Sequence, residues 1–129
     1  GMVVLLWAFR GGRSSPHRLE NHRPHSVAYT STHDTDTVAG WFRGLRPRQR
    51  AATGLDPADP SWSLIELAYA SRAALTIVPA QDVLGLGSDA RMNRPGVSSG
   101  NWRWRLERGA LTPALARRLR SLAEQHGRG

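Results

Sequence analysis

Three short apolar runs govern how this chain can fold: Met2–Phe9, Ser26–Thr30 and Ala74–Val78. The first is unbroken by any polar residue, and its length and valine content favour a strand over a helix. Strands without polar alternation need cover on both faces, which is the condition of a parallel sheet wrapped by helices. The intervening segments fit that demand. A loop rich in Gly, Arg, Ser, Pro and His runs from Arg10 to about Pro24. Asp36 or Thr37 can cap a short helix through Val38, Trp41 and Phe42, which Arg46-Pro47-Arg48 interrupts, and a second break falls at Gly54–Pro57. Asp59 as N-cap and Pro60 at the first helical position predict a helix over Pro60–Ser71, with Leu64, Leu67 and Ala68 on one face. A long Gly-rich loop is expected to carry Gln81 to Asn101 over the surface. Thr112-Pro113 then starts a closing helix with Leu115, Leu119 and Leu122 as its apolar stripe.

This order of elements is that of repeated βα units, so the fold class is α/β. Three strands cannot close a barrel, which takes eight with matched tilt and shear. The run Met2–Phe9 is also too short to cross a bilayer, which takes roughly 20 residues. With no charged leader read before it, a soluble cytoplasmic protein is expected.

Composition excludes some chemistry. Cysteine is absent, which rules out disulfides and thiolate metal sites. The formal charge of +8 invites a nucleic-acid partner. Yet all 18 basic residues are arginine, spread over loops and helices, a pattern closer to codon bias than to a phosphate-binding block. His17, His22 and His25 share a loop without helical spacing or acidic partners, so no metal is expected there. No Gly-x-Ser-x-Gly elbow is present, which argues against a serine hydrolase.

The chemistry-bearing residues gather at the ends of the second and third runs. Tyr29-Thr30-Ser31-Thr32-His33-Asp34-Thr35-Asp36-Thr37 leaves a buried strand and delivers a His-Asp pair to its carboxyl end, where α/β barrels place their sites. Further on, the chain reads Gln81-Asp82-Val83-Leu84-Gly85-Leu86-Gly87-Ser88-Asp89-Ala90-Arg91-Met92-Asn93-Arg94-Pro95-Gly96, then Gly100-Asn101-Trp102-Arg103-Trp104-Arg105. These two stretches, in this order, resemble the 4-alpha-glucanotransferases (amylomaltases or disproportionating enzymes, glycoside hydrolase family 77), whose first signature usually reads Tyr-Thr-Gly-Thr-His-Asp-Asn-Asp-Thr. Ser31 replaces the usual glycine, Thr35 the usual asparagine, and Leu6 stands where a glutamine is common.

The resemblance implies that residues 1–129 are an incomplete C-terminal segment of a (β/α)8 TIM barrel, holding about strands six to eight, with no second domain. It implies an enzyme that moves α-1,4-glucan segments to the 4-hydroxyl of an acceptor sugar by a retaining double displacement, without metal or organic cofactor. Such chemistry uses two carboxyl groups about 5–5.5 Å apart. In the family these lie on strands four and five, in segments this sequence does not contain, so the chain alone is expected to be inactive. Asp34 corresponds to a third carboxylate, which grips the 2- and 3-hydroxyls of the sugar and favours its oxocarbenium-like state. His33 corresponds to a contact to the same glucose, and Asn93 to a substrate-binding asparagine. Asp36 either caps a helix or joins the site. Gln81 and Asp82 either touch sugar or pin their loop. Trp102 and Trp104 can stack on sugar rings or bases, but the favoured reading buries them against the barrel exterior. The implied partners are a maltooligosaccharide or α-1,4-glucan and the rest of the barrel, with neither nucleic acid nor membrane. The competing readings are a stand-alone carbohydrate-binding remnant and a small basic nucleic-acid-binding protein.

Overall fold

The computed structural model describes residues 1–129. Its centre is a parallel three-stranded sheet in the order β1 (Met2–Val4), β2 (Val27–Tyr29), β3 (Leu75–Ile77). The register aligns Met2 with Val27 and Leu75, Val3 with Ala28 and Thr76, and Val4 with Tyr29 and Ile77. Because side chains alternate across a strand, the row Val3–Ala28–Thr76 points to one face and the two flanking rows to the other. The helices lie on the face of that middle row: Thr76 donates its hydroxyl to the Ala68 carbonyl of α4 (Pro60–Ala70) at 3.1 Å.

The first run does not stay extended. After Val4 the chain winds into a helical turn, α1 (Leu5–Ala8). Leu5 and Leu6 are both buried, at 2% and 3% exposure, and a turn hides consecutive leucines where a strand would point them to opposite faces. One ladder bond continues past the strand, from Leu6 N–H to the Thr30 carbonyl at 3.3 Å. On the open edge of β1, the Val4 N–H is satisfied by His17 Nδ1 at 3.1 Å. His22, which is buried, sits between the Ser71 hydroxyl and the His17 carbonyl. These loop histidines thus tie the β1 edge to the end of α4.

The helix α2 (Val38–Gly44) is capped by Thr37, whose side chain accepts from the Gly40 N–H. The break expected at Arg46–Arg48 is itself the start of another helix, α3 (Pro47–Thr53). Asp59 caps α4 by accepting from the Trp62 N–H. Residues expected to be surface loop form a buried turn, α5 (Ala80–Val83), and a 3₁₀ turn, Ser88–Ala90. The closing helix α6 (Pro113–Gln125) is capped by Thr112. Two apolar clusters result. One joins the sheet to α2 and α4 through Val3, Val4, Ala28, Val38, Phe42 and Leu64. The other seats Leu122 of α6 against Trp62, Ile65 and Val83, with the Arg118 guanidinium 3.8 Å above the Trp62 ring.

Candidate functional site

The site is built on a buried acid that sequence reading left ambiguous. Asp82 of α5 is fully buried, where a surface loop was expected. Its Oδ2 accepts from the hydroxyls of Thr30 at 2.6 Å and Ser31 at 2.5 Å, and its Oδ1 accepts from the Val38 N–H at 2.9 Å. One carboxylate therefore fastens together the end of β2, the start of α2 and the segment after β3. Burial pushes its pKa above the ordinary carboxylate value, the charge of Asp36 adds to that, and the three donors oppose it. Ser31 does not need the freedom of the glycine it replaces: Trp102 is the chain's one non-glycine residue at positive φ. The Ser31 hydroxyl instead gives Asp82 a partner.

Beyond Ser31 the chain makes a tight turn. Thr35 N–H donates to the Thr32 carbonyl at 3.3 Å, and Thr32 N–H to the Thr35 hydroxyl at 3.0 Å. This turn holds His33 and Asp34 outward, with side-chain exposures of 58% and 49%. Asn93 closes onto the pair from the second motif. Its Nδ2 donates to Asp34 Oδ1 at 2.6 Å, and its backbone N–H to the His33 carbonyl at 3.0 Å. His33 Nε2 lies 3.3 Å from Asp34 Oδ2. The structure thus brings together His33, Asp34 and Asn93 across 59 residues of chain.

Asp34 opens onto a groove of about 510 Å³ whose walls include Leu6, Trp7, Arg10, Trp41, Arg91 and Pro95. A carboxylate steadied by one amide and left half in solvent can accept hydrogen bonds from vicinal hydroxyls entering that groove. The groove's only other carboxylate, Asp36, is engaged at both oxygens, by the Thr37 N–H at 2.8 Å and the Ser88 hydroxyl at 2.7 Å. It is therefore a clasp between two loops, and the helix cap is Thr37. Gln81 donates to the Ala90 carbonyl at 3.2 Å, which is the loop-pinning contact.

One contributor, Arg91, carries no expectation from the sequence, and another, Trp102, departs from the favoured one. Arg91 donates to the Asp34 carbonyl and to the Asn93 carbonyl, each at 2.8 Å, and so clamps the backbones that carry both side chains. Its place inside the second motif was the one available signal. Trp102 is not buried as expected. It is 53% exposed, and its ring centroid lies 5.3 Å from that of His33. Trp104 is half-buried and lines a separate groove of about 770 Å³ with Arg43, Leu86, Asp89 and Glu107.

A family model described as 4-alpha-glucanotransferase matches residues 1–112. The chain is 43% identical to a 4-alpha-glucanotransferase of Thermus thermophilus over 136 aligned positions, covering 96% of this chain and 27% of the relative. It is also 43% identical to a chloroplastic/amyloplastic 4-alpha-glucanotransferase of Arabidopsis thaliana, covering 99% of this chain and 24% of the relative. An amylomaltase from Streptococcus agalactiae, solved in complex with acarbose, superposes with a TM-score of 0.90 at 30% identity, over 100% of this chain and 27% of the amylomaltase. The chain therefore spans about a quarter of the length of the relatives it matches.

Proposed function

This chain belongs to the 4-alpha-glucanotransferase family, and from that premise we propose that it forms the sugar-gripping side of a site that transfers α-1,4-glucan segments. In this reading residues 1–129 are the C-terminal part of a (β/α)8 barrel domain, and β1, β2 and β3 are its strands six, seven and eight. Three features support it: the parallel three-stranded order, the placement of His33 and Asp34 just beyond β2, and Asn93 in the loop that follows β3 and α5.

The observation that carries the proposal is the half-exposed Asp34 carboxylate, held by Asn93 beside His33 on an open groove. The reaction runs in two displacements. A carboxylate supplied by the rest of the barrel attacks the anomeric carbon while an acid protonates the departing oxygen. The acceptor's 4-hydroxyl then attacks the same carbon, loses its proton to that group and frees the carboxylate. Asp34 accepts hydrogen bonds from the 2- and 3-hydroxyls, which strengthen as the ring flattens and gains positive charge. His33 contacts the same sugar, and Asn93 both orients Asp34 and binds substrate. Asp36 and Gln81, engaged by Ser88 and Ala90, shape the rim and border the substrate.

A glucan substrate is consistent with the acarbose named in the Streptococcus agalactiae amylomaltase complex. Several arginines are engaged by the chain's own carbonyls and rings, which favours a sugar over a nucleic acid. Arg50, Arg91, Arg105 and Arg128 donate to backbone carbonyls, and Arg118 covers Trp62. A cytoplasmic location belongs to the same proposal; plastid relatives share the family, so membership does not fix the compartment. No helix is long and apolar enough to cross a membrane.

Maltotriose provides the test. This chain alone should yield neither longer nor shorter maltooligosaccharides. In an enzyme carrying the whole barrel, Asp34→Ala should cut kcat by about 10²–10³-fold with a smaller change in KM. An unchanged kcat would remove Asp34 from the chemistry.

A further inference from the structure

We propose that Trp102 is a positioning residue, whose indole, held in a strained left-handed backbone conformation, fixes the imidazole of His33 beside Asp34. Its functional meaning rests on the sugar-binding reading of His33 above.

The first observation is conformational. Trp102 has φ 60°, a region that glycine enters freely and that a bulky side chain enters only under constraint. Glycine was available to this sequence: Gly100, two residues earlier, takes φ 81° without penalty. The chain instead puts its largest side chain type in the costly conformation. Such strain persists only where surrounding contacts over-determine it.

The second observation identifies those contacts. Trp102 N–H donates to the Met92 carbonyl at 2.6 Å, one residue before Asn93. Asn101 locks the same loop from the other side, accepting from the Arg94 N–H at 2.9 Å and donating to the Val97 carbonyl at 2.8 Å. The loop from Met92 to Trp102 is thereby closed at its base, and the left-handed turn at its end directs the indole to His33. The two rings lie 5.3 Å apart with planes inclined by 34°, an aromatic contact geometry.

The third observation is the freedom His33 would otherwise have. Its side chain is 58% exposed, and its one polar side-chain neighbour is Asp34, at 3.3 Å. Two side-chain torsions and a single polar contact leave an imidazole free to turn. A ring packed against one face removes that freedom before the sugar arrives, which saves ordering cost on binding. Trp102 also remains 53% exposed, so its ring has not been placed there to fill the core.

Two consequences separate a positioning role from a structural one. Trp102→Gly relieves the backbone strain, so its melting midpoint should equal or exceed that of the parent chain. The same change should release His33. In the 129-residue chain, the His33 ring protons should sit upfield of their unstructured positions because of the indole ring current. That displacement should vanish in Trp102→Gly and Trp102→Ala and largely survive in Trp102→Phe. Maltotriose should bind about two- to tenfold more weakly to the Gly and Ala variants, with Phe restoring most of the loss.

Unmoved His33 signals in Trp102→Gly would overturn the proposal, as would an unchanged maltotriose affinity once those signals have moved. A melting midpoint that falls in Trp102→Gly would make Trp102 a structural residue. Asp34→Ala separates the two readings. If the parent chain and Asp34→Ala both fail to bind maltotriose while the His33 displacement is present, the glucan reading falls and the Trp102–His33 contact stands.

Discussion

The buried carboxyl of Asp82 and the half-buried imidazole of His17 pull stability in opposite directions with pH. Burial raises the Asp82 pKa from its ordinary 3.8, so the folded chain holds that proton to higher pH than the unfolded chain. The group's contribution is then greatest below pH 3.8 and declines as pH rises above it. Asp82→Asn removes the charge and keeps an oxygen for the Val38 N–H. Its stability relative to the parent should therefore improve from pH 4 to pH 7 in urea melts. Asp82→Ala leaves the Thr30 and Ser31 hydroxyls and the Val38 N–H without their acceptor, and should cost about 2–4 kcal/mol. For His17 the sign reverses. Burial, with help from His22, lowers its pKa from 6.5, and Nδ1 must stay unprotonated to accept from Val4. Its contribution is present above pH 6.5 and fades as pH falls below it. His17→Gln should flatten the fall in melting midpoint between pH 7.5 and pH 5.5; an undiminished fall would acquit this histidine.

At the scale of elements, the packing of α2 against the Ser88–Ala90 turn depends on one missing methyl group. A Cβ at Gly40 would meet the Ser88 hydroxyl, lie 2.6 Å from Asp36 Oδ1 and lie 2.8 Å from the Ser88 backbone nitrogen. Alanine gains about 1 kcal/mol of helix propensity over glycine. The backbone of Ser88 cannot swing aside as a side chain can, so the clash should win by about 1–3 kcal/mol. Gly40→Ala should lower the melting midpoint and open the Asp36–Ser88 clasp, and a higher midpoint would refute this.

Elements whose signals are local were legible in the sequence. Asp59-Pro60 and Thr112-Pro113 each announce a cap followed by a first-turn proline, and both side chains do accept from the backbone N–H three residues on. Elements decided by distant partners were not. Pro47 interrupts the helical pattern that starts at Val38, yet it also opens α3, whose C-cap is Gly54 with φ 69°. Leu5-Leu6 carries no period that separates a strand from a turn, and the end of the β1 ladder decided it. The motifs paired Asp34 with Asn93, but the Arg91 clamp and the angle of Trp102 exist only once the two loops meet.

The whole molecule leaves apolar surface that its own chain does not cover. Met2 and Leu75 are each 53% exposed and Ile77 40%, all in the sheet rows that face away from the middle row. The sheet order also leaves one edge of β1 and one of β3 without a neighbouring strand. An exposed apolar face on a sheet with two open edges is a docking surface. The chain spans about a quarter of its relatives, and the occupant proposed here is the remainder of the barrel, pairing with β1 on one side and β3 on the other. Complementation should show it. The portion of the Thermus thermophilus relative that this chain does not match, produced alongside this chain, should co-purify with it and disproportionate maltotriose, while neither piece does so alone. Leu75→Lys places a charge on the docking face without disturbing the covered clusters. It should leave the stability of this chain within about 0.5 kcal/mol of the parent's, as read by urea melts. It should also abolish co-purification and activity together, because a lysine cannot be desolvated inside a closed barrel without a partner. Activity that survives Leu75→Lys would mean that the two pieces meet elsewhere and that the strand assignment is wrong.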